Sequence, residues 1–128
     1  MKLSKIHHIA IIGTDYSKTT DFYINKLKFK KISEYNRPGK NDILLNVKKG
    51  DIVLEIFIKE DAPIRPPMPS PEYTGLRHLA FKVDSVEDVL EEFDKLGVVH
   101  EGLRYDDFDG KKMAFFFDPD GLPLEIHE

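Results

Sequence analysis

Two histidine–glutamate pairs are the residues of this sequence best suited to chemistry. His8 and Glu55 are 47 positions apart in the first half of the chain, and His78 and Glu125 are 47 positions apart in the second half. Imidazole nitrogens and carboxylate oxygens suit Zn, Ni, Co, Mn or Fe(II) better than Ca or Cu(I). Because each glutamate interrupts an apolar stretch, its burial is costly unless it is paired, protonated or bound to metal. The duplicated spacing predicts one divalent-metal site formed by all four side chains; the alternative is two hydrogen-bonded pairs without metal.

The alternation of side chains along the predicted strands directs these four residues to one side. Neighbouring side chains of a strand point to opposite faces. In the strands that carry His8 and His78, the apolar residues of one face are expected to pack against a helix. Both histidines then point to the opposite, concave face. The strands that carry Glu55 and Glu125 have the same alternation, so we expect the glutamates on that face as well.

A repeated pattern of strand and helix positions the two pairs. An alternating apolar strand, followed by a helix with apolar residues at helical spacing, occurs in segments 6–29 and 76–98. Thr14 or Asp15 can cap the first helix and Ser85 the second. Each copy continues with a weak strand and a hairpin around a tight turn. The weak strands are 31–35 and 100–105, and the hairpin strands are 43–47, 52–58, 113–117 and 122–126.

The repeat predicts a single α+β domain over residues 1–128. It consists of two tandem βαβββ modules, at about 5–58 and 76–127, that form curved mixed β-sheets with the helices on the outer face. Residues 59–75 form an extended linker because proline lacks the amide donor and disfavours helix. This linker holds Pro63, Pro66, Pro67, Pro69 and Pro71. One module leaves a sheet face bare, so two modules are expected to pair their sheets.

The composition excludes several other classes of protein. The 128 residues carry a net charge of −4, and no basic stripe alternates with aromatic residues, so no nucleic-acid partner is expected. The absence of cysteine removes disulfides, thiolate metal ligands and cysteine nucleophiles. No apolar run has the length of a membrane span, and no signal-peptide pattern is present. We therefore expect a cytoplasmic protein without a membrane partner.

The sequence resembles the vicinal-oxygen-chelate (VOC) superfamily over nearly the whole chain. The resemblance is carried by segments 7–11 (HHIAI), 21–23 (DFY), 54–57 (LEIF), 76–81 (LRHLAF) and 118–126 (DPDGLPLEI). A glutamate at both hairpin positions resembles glyoxalase I, and the chain is similar to short bacterial glyoxalase-like proteins. The resemblance implies the glyoxalase/bleomycin resistance/dioxygenase fold and a metal site of His8, Glu55, His78 and Glu125.

The resemblance to glyoxalase I also implies a reaction and an assembly. Such a carbon–sulfur lyase isomerises the hemithioacetal of a 2-oxoaldehyde and a thiol to a 2-hydroxyacyl thioester, through a metal-stabilised enediolate. Glu125 matches the principal base, with Glu55 as second candidate. The implied cofactor is one divalent ion per site, Zn or Ni first, with Co, Mn or Fe as further options. Short members pair the N-terminal module of one subunit with the C-terminal module of another, which implies a homodimer with metal sites at the subunit interface.

Other functions within the superfamily are alternatives to this reaction. One is a non-catalytic protein that binds and sequesters a small molecule. Such proteins lack the metal-ligand set, so Glu55 and Glu125 argue against this alternative. Others are an epimerase, a dioxygenase or a thiol transferase; a dioxygenase or thiol transferase with three protein ligands would leave Glu55 unused.

Two departures from the family pattern argue against glutathione as the thiol. Glutathione-dependent members usually have an arginine four residues after the first histidine, where this chain has Ile12. They usually have an asparagine four residues after the first glutamate, where this chain has Lys59. Arg37, Arg77 and Arg104 are candidates for holding an anionic group of the small-molecule substrate.

The three remaining histidines are not expected to bind metal. His7 is expected to be structural, since the alternation places it toward the helix side or the rim. His100 and His127 have no counterparts at matching positions of the repeat, so we expect both to be exposed.

Overall fold

A computed structural model of the protein describes residues 1–68 and 71–128, so Pro69 of the predicted linker lies outside the described residues. The chain divides into two compact units, Met1–Pro63 and Ile64–Glu128. The division falls within the predicted linker at 59–75. Each unit contains a four-stranded mixed sheet. None of the helices in the described part of the chain is long and apolar enough to span a membrane.

The first unit has the element order predicted for a βαβββ module. Its helix is capped by Asp15, whose carboxylate accepts the Lys18 N–H at 2.8 Å. Its elements are β1 (Ile9–Gly13), α1 (Tyr16–Thr20, continued by a π-helical segment at Asp21–Lys26), β2 (Lys30–Arg37), a 3-10 turn (Pro38–Lys40), β3 (Asp42–Lys49) and β4 (Ile52–Ile58). The strands lie in the order β1-β4-β3-β2; β1 is parallel to β4, and the other neighbours are antiparallel.

The second unit repeats this topology. Its helix begins after Ser85, whose hydroxyl accepts the Asp88 N–H, and ends at Gly97, which has a φ of 70°. Its elements are β5 (Leu79–Lys82), α2 (Val86–Leu96), β6 (Arg104–Tyr105), β7 (Lys112–Phe117) and β8 (Pro123–His127). The strands lie in the order β5-β8-β7-β6, and β5 is parallel to β8.

Each unit has its own apolar core. In the second unit, Phe93 of α2 packs against Phe116 of β7 with ring centroids 4.8 Å apart. The buried side chains of the first unit include Phe22, Tyr23, Leu45, Val47, Leu54 and Ile56, and those of the second include Val86, Leu90, Phe93, Ala114, Phe116 and Leu124. On the sheet face opposite these residues, Ala10, Ile12 and Ala80 are exposed. Ile11, Leu54, Ile56 and Leu124 are buried, as the alternation predicted. Met113 and Phe115, on the Glu125 side of β7, are buried as well.

The turn between β7 and β8 fixes the pairing of these two strands. The Oδ1 atom of the buried Asp118 accepts the N–H groups of Asp120 and Leu122, each at 2.9 Å. Gly121 has a φ of 82°, a left-handed conformation that L side chains rarely adopt. The resulting register places Glu125 opposite Phe115.

The structure confirms the predicted α+β fold and corrects the limits of several strands. β1 and β5 begin at Ile9 and Leu79, not at residues 6 and 76, because pairing with β4 and β8 starts at those positions. His8 and His78 therefore immediately precede their strands. β6 is limited to two residues of the predicted 100–105, and His100 makes an isolated bridge to Phe116.

Candidate metal centre

The first predicted pair is in contact within the first unit. His8 lies just before β1, and Glu55 lies on β4 beside Ala10, the small residue with which it is in register. The His8 Nε2 and Glu55 Oε2 atoms are 3.4 Å apart. The pair is open to solvent, with 38% of the His8 side chain and 27% of the Glu55 side chain exposed.

The second predicted pair repeats this arrangement in a more enclosed setting. Glu125 lies on β8 in register with Ala80, and its Oε2 atom is 2.8 Å from the Nε2 atom of His78. The exposed fraction is 22% for the His78 side chain and 8% for that of Glu125. The His78 ring also meets the Phe115 ring edge-on, with centroids 5.0 Å apart. The four predicted ligands thus occur as two contacting pairs, each inside one unit.

The donor atoms of both pairs have spacings that a shared transition-metal ion would accept. Zinc binds nitrogen and oxygen ligands at about 2.0–2.2 Å, so two ligands at octahedral or tetrahedral angles are about 2.8–3.6 Å apart. The separations of 2.8 and 3.4 Å agree with that range. The Nδ1 atom of His78 is buried without a hydrogen-bond partner among the described residues. Because Nε2 is the nitrogen that faces Glu125, this Nδ1 atom is not a donor to an ion shared by the pair.

Glu125 has a second partner that the sequence reasoning missed. The Nδ1 atom of His127 is 2.7 Å from Glu125 Oε1, and the Nε2 atom of His127 is 2.9 Å from Asp109 Oδ2. The Glu125 carboxylate, and then that of Asp109, raise the pKa of His127, with burial opposing them. His127 is half-buried, so the expectation that it is exposed was wrong. His100 is also half-buried, because its Nε2 atom contacts Asp94 Oδ1 at 2.7 Å.

His8 likewise has a neighbour whose contact the alternation did not indicate. The Nδ1 atoms of His7 and His8 are 2.8 Å apart, so one ring donates its N–H to the other. If His8 is the donor, its proton is on Nδ1 and its Nε2 atom keeps a lone pair toward Glu55. A histidine that binds metal through Nε2 requires this tautomer. The sequence feature that could have indicated this contact is the adjacency of His7 and His8.

Another group of potential metal ligands lies in the second unit. Asp106, Asp109 and His127 each offer one atom, and these atoms lie within 4.8 Å of one another. The carboxylate of Asp106 already accepts the N–H groups of Phe108 and Asp109. Its role visible in the structure is therefore to shape the turn that holds Asp109.

The three candidate arginines have different partners. Arg37 and Lys59 both bond the carboxylate of Asp42, whose side chain is fully buried. These two cations hold the pKa of Asp42 well below its ordinary range. Arg77 pairs with Glu72. Arg104 lies over the Phe115 ring at 4.9 Å, and its carboxylate neighbour, Glu101, is 4.0 Å away.

A comparison with known protein families identifies the chain. The model of the Glyoxalase/Bleomycin resistance protein/Dioxygenase superfamily matches residues 5–126. The chain belongs to this superfamily. Its two four-stranded mixed sheets are those of the glyoxalase fold.

Relatives within the glyoxalase superfamily match the chain over its whole length. It is 44% identical to the Bacillus subtilis (strain 168) protein YwkD, covering 100% of this chain and 99% of the relative. It is 43% identical to the Escherichia coli (strain K12) protein YaeR, covering 98% and 97%. Both are described as uncharacterized. The crystal structure of a glyoxalase family protein from Enterococcus faecalis covers 100% of both chains, with 53% identity and a TM-score of 0.95. Superfamily members are often metal-dependent enzymes that bind small molecules.

Proposed function

We propose that this protein is a metal-dependent lyase of glyoxalase I type, with His8, Glu55, His78 and Glu125 as ligands of one divalent ion per site. The observation that carries the proposal is the His–Glu contact that recurs in both units, with nitrogen–oxygen distances of 3.4 and 2.8 Å. The mixed nitrogen and oxygen donors favour Zn or Ni, and Co, Mn or Fe are chemically acceptable. When bound, the ion would act as a Lewis acid that stabilises negative charge on two adjacent substrate oxygens.

Glu125 is the residue that we assign to proton transfer, with Glu55 as the second candidate. In the isomerisation, a carboxylate takes the proton from the carbon that bears sulfur and returns it to the neighbouring carbonyl carbon. The hydroxyl proton passes to the former carbonyl oxygen, so no atom is gained or lost and the hemithioacetal becomes a 2-hydroxyacyl thioester. Glu125 suits this role because it is the more buried glutamate and each of its oxygens contacts a histidine.

The substrate in this proposal is the adduct of a small 2-oxoaldehyde with a thiol other than glutathione. It has vicinal oxygens and an anionic group. Ile12 and Lys59 replace the residues that glutathione-dependent members usually have. Arg104 is the best-placed of the three arginines to bind an anion, because its guanidinium lies over the Phe115 ring and its carboxylate neighbour, Glu101, is 4.0 Å away. By contrast, the charge of Arg37 is compensated by the buried Asp42.

The functional assembly in this proposal is a homodimer with each metal site shared between two subunits. His8 and Glu55 would come from one subunit, and His78 and Glu125 from the other. This would give two equivalent sites under two-fold symmetry. A single chain that completes its own site is the alternative, and the two arrangements make different predictions for mixed variants.

Metal binding is the first test of the proposal. The purified protein should be stripped with a chelator and its melting temperature measured with and without Zn, Ni, Co and Mn. A ligand that binds only the folded state raises that temperature. We expect a rise for at least one ion in the wild-type protein, a smaller rise in His8→Ala and His78→Ala, and a wild-type response in the control His100→Ala. The same melting temperature with every ion would refute the metal site.

Turnover is the second test. The reconstituted protein should be assayed with methylglyoxal and several thiols, among them glutathione, by following thioester formation. We expect activity that disappears on chelation and returns with metal. Tight binding of a small molecule without turnover of any thiol adduct would instead favour the sequestration function.

A further inference from the structure

The carboxylate of Glu125 has its two oxygens engaged by different histidines. Its Oε2 atom faces His78 Nε2 at 2.8 Å, and its Oε1 atom faces His127 Nδ1 at 2.7 Å. The terminal torsion of a glutamate is broad and roughly two-fold, so an unrestrained carboxylate would sample many orientations. With Oε1 bound to His127, the orientation of Oε2 toward His78 is fixed.

His127 is itself held from the other side. Its Nε2 atom is 2.9 Å from Asp109 Oδ2, while Asp109 Oδ1 accepts the Lys111 N–H at 2.9 Å. Asp109 lies in a turn in which Asp106 Oδ1 accepts the N–H groups of Phe108 and Asp109 at 2.7 and 3.1 Å. The orientation of the imidazole is therefore set by a hydrogen-bonded turn 18 positions earlier in the chain.

The first unit has no equivalent of this support at the matching position. The residue two positions after Glu55 is Phe57, which has no side-chain donor. Phe57 instead packs beneath the guanidinium of Arg37 at 5.0 Å. The repeat therefore duplicates the His–Glu pair but not the histidine that follows the glutamate, so His127 is a feature specific to the second unit.

We propose that His127 is a positioning residue that orients Glu125 as a metal ligand, and that Asp109 acts through His127. This inference rests on the proposed metal site. Hydrogen-bonded partners of metal ligands raise metal affinity because the ligand is already oriented before the ion binds, and their loss commonly costs 10–100-fold in affinity. His127 contacts Oε1 of Glu125, the oxygen that does not face His78, and is not itself assigned as a metal ligand.

The test is the dissociation constant for Zn²⁺ alone, measured by competition with a chelator at one fixed pH. We expect His127→Ala to weaken Zn²⁺ binding by about 10–100-fold. His127→Gln keeps one donor and should lose less, which also provides a second variant if His127→Ala does not fold. Circular dichroism of the metal-free variants establishes that the fold is retained.

Asp109→Asn distinguishes positioning from a general structural effect. If Asp109 acts through His127, Asp109→Asn should weaken Zn²⁺ binding in the wild-type background and cause no further loss in the His127→Ala background. The matched controls are His100→Ala and Asp94→Asn, which break another His–Asp contact of 2.7 Å in the same unit. Both controls should bind Zn²⁺ within about twofold of wild type.

The outcomes separate this inference from the proposed function. A wild-type protein that binds none of the divalent ions refutes the proposed metal site, and the inference with it. Wild-type binding that persists unchanged in folded His127→Ala or His127→Gln refutes the positioning role alone. Equal losses from Asp109→Asn in both backgrounds would show that Asp109 acts independently of His127, which also contradicts the proposal.

Discussion

The two His–Glu pairs have the same sequence spacing but different surroundings. In the first unit the His8 and Glu55 side chains are 38% and 27% exposed, and their atoms are 3.4 Å apart. In the second unit Glu125 is 8% exposed, lies 2.8 Å from His78 and has His127 on its other oxygen. The His8–Glu55 pair is thus open to solvent, whereas the His78–Glu125 pair is more enclosed and its glutamate is also bonded by His127.

This difference teaches that equal ligand chemistry need not mean equal roles. A carboxylate with fixed orientation and little solvent needs less reorganisation before it binds an ion or removes a proton. Glu125 meets those conditions better than Glu55. The comparison therefore favours a division in which both glutamates bind the metal and Glu125 also transfers the proton.

Glu125→Gln should have the largest effect among the changes that test this division. The amide retains the shape but cannot accept the substrate proton, so turnover of the substrate found in the thiol screen should fall by roughly 10²–10⁴-fold. Glu55→Gln should reduce turnover less. Initial rates at saturating metal measure both. If Glu125→Gln with metal bound stays active, the general base is Glu55 or a water molecule and not Glu125.

Mixing two inactive variants tests whether a site combines the open pair of one subunit with the supported pair of another. His8→Ala and His78→Ala chains should each lose high-affinity metal binding. After subunit exchange at equal amounts, random pairing makes half the dimers mixed, and each mixed dimer has one intact site, so roughly a quarter of the sites should return. Zn²⁺ stoichiometry measures the recovery. With exchange verified by mass labelling, a lack of recovery would favour sites formed within one chain.

The Asp42 cluster offers a way to weaken the first unit selectively. Arg37 and Lys59 lower the pKa of Asp42 in the folded protein, so its ionised form stabilises the fold above the ordinary pKa of 3.8. That contribution is lost as pH falls below this value toward the lowered one. Asp42→Asn should therefore melt below wild type at pH 7, and the gap should narrow on acidification below about pH 4.

The matched control for Asp42 is Asp51→Asn, which changes an exposed aspartate in the turn between β3 and β4. Its melting temperature should follow that of wild type across the same pH range. Thermal unfolding monitored by circular dichroism gives both curves. A constant gap for Asp42→Asn from pH 7 to pH 2 would contradict an ionic origin of the effect.

The helix caps should give the smallest effects and should be similar in the two units. Asp15 and Ser85 each accept a backbone N–H of the first helical turn. Asp15→Ala and Ser85→Ala should each cost about 1 kcal/mol of unfolding free energy, as measured in urea. Ser17→Ala, at an exposed helical position, is the control. Losses no larger than that of Ser17→Ala would mean that these bonds do not stabilise the helices.

The fold could be predicted from the sequence because its signals are local and occur twice. Alternating apolar residues, the caps Asp15 and Ser85, and the turn at 118–121 each act within a few positions. The repeated spacing of His8–Glu55 and His78–Glu125 similarly indicated both contacts that the structure contains.

The remaining features depend on contacts that no periodicity encodes. The strand limits at Ile9 and Leu79 follow from where pairing with β4 and β8 begins. The contact of His127 with Asp109 requires a particular turn conformation 18 residues away, which the sequence pattern does not indicate. The pattern therefore predicts an exposed His127, because this histidine has no counterpart in the repeat. The sequence places both glutamates in apolar stretches, so it does not predict that Glu125 is more enclosed than Glu55.

The Asp118 turn has a consequence for how this chain tolerates insertions and deletions. A strand has a period of two, so moving β8 by one residue relative to β7 would exchange its two faces. Leu124 and Ile126 would then lie on the face that now carries Glu125 and His127, and those two residues would turn toward the apolar core. The two hydrogen bonds to Asp118 thus fix the register of β8 relative to β7. One residue added to this turn should therefore displace Glu125 and His127 from the proposed metal site without replacing either residue.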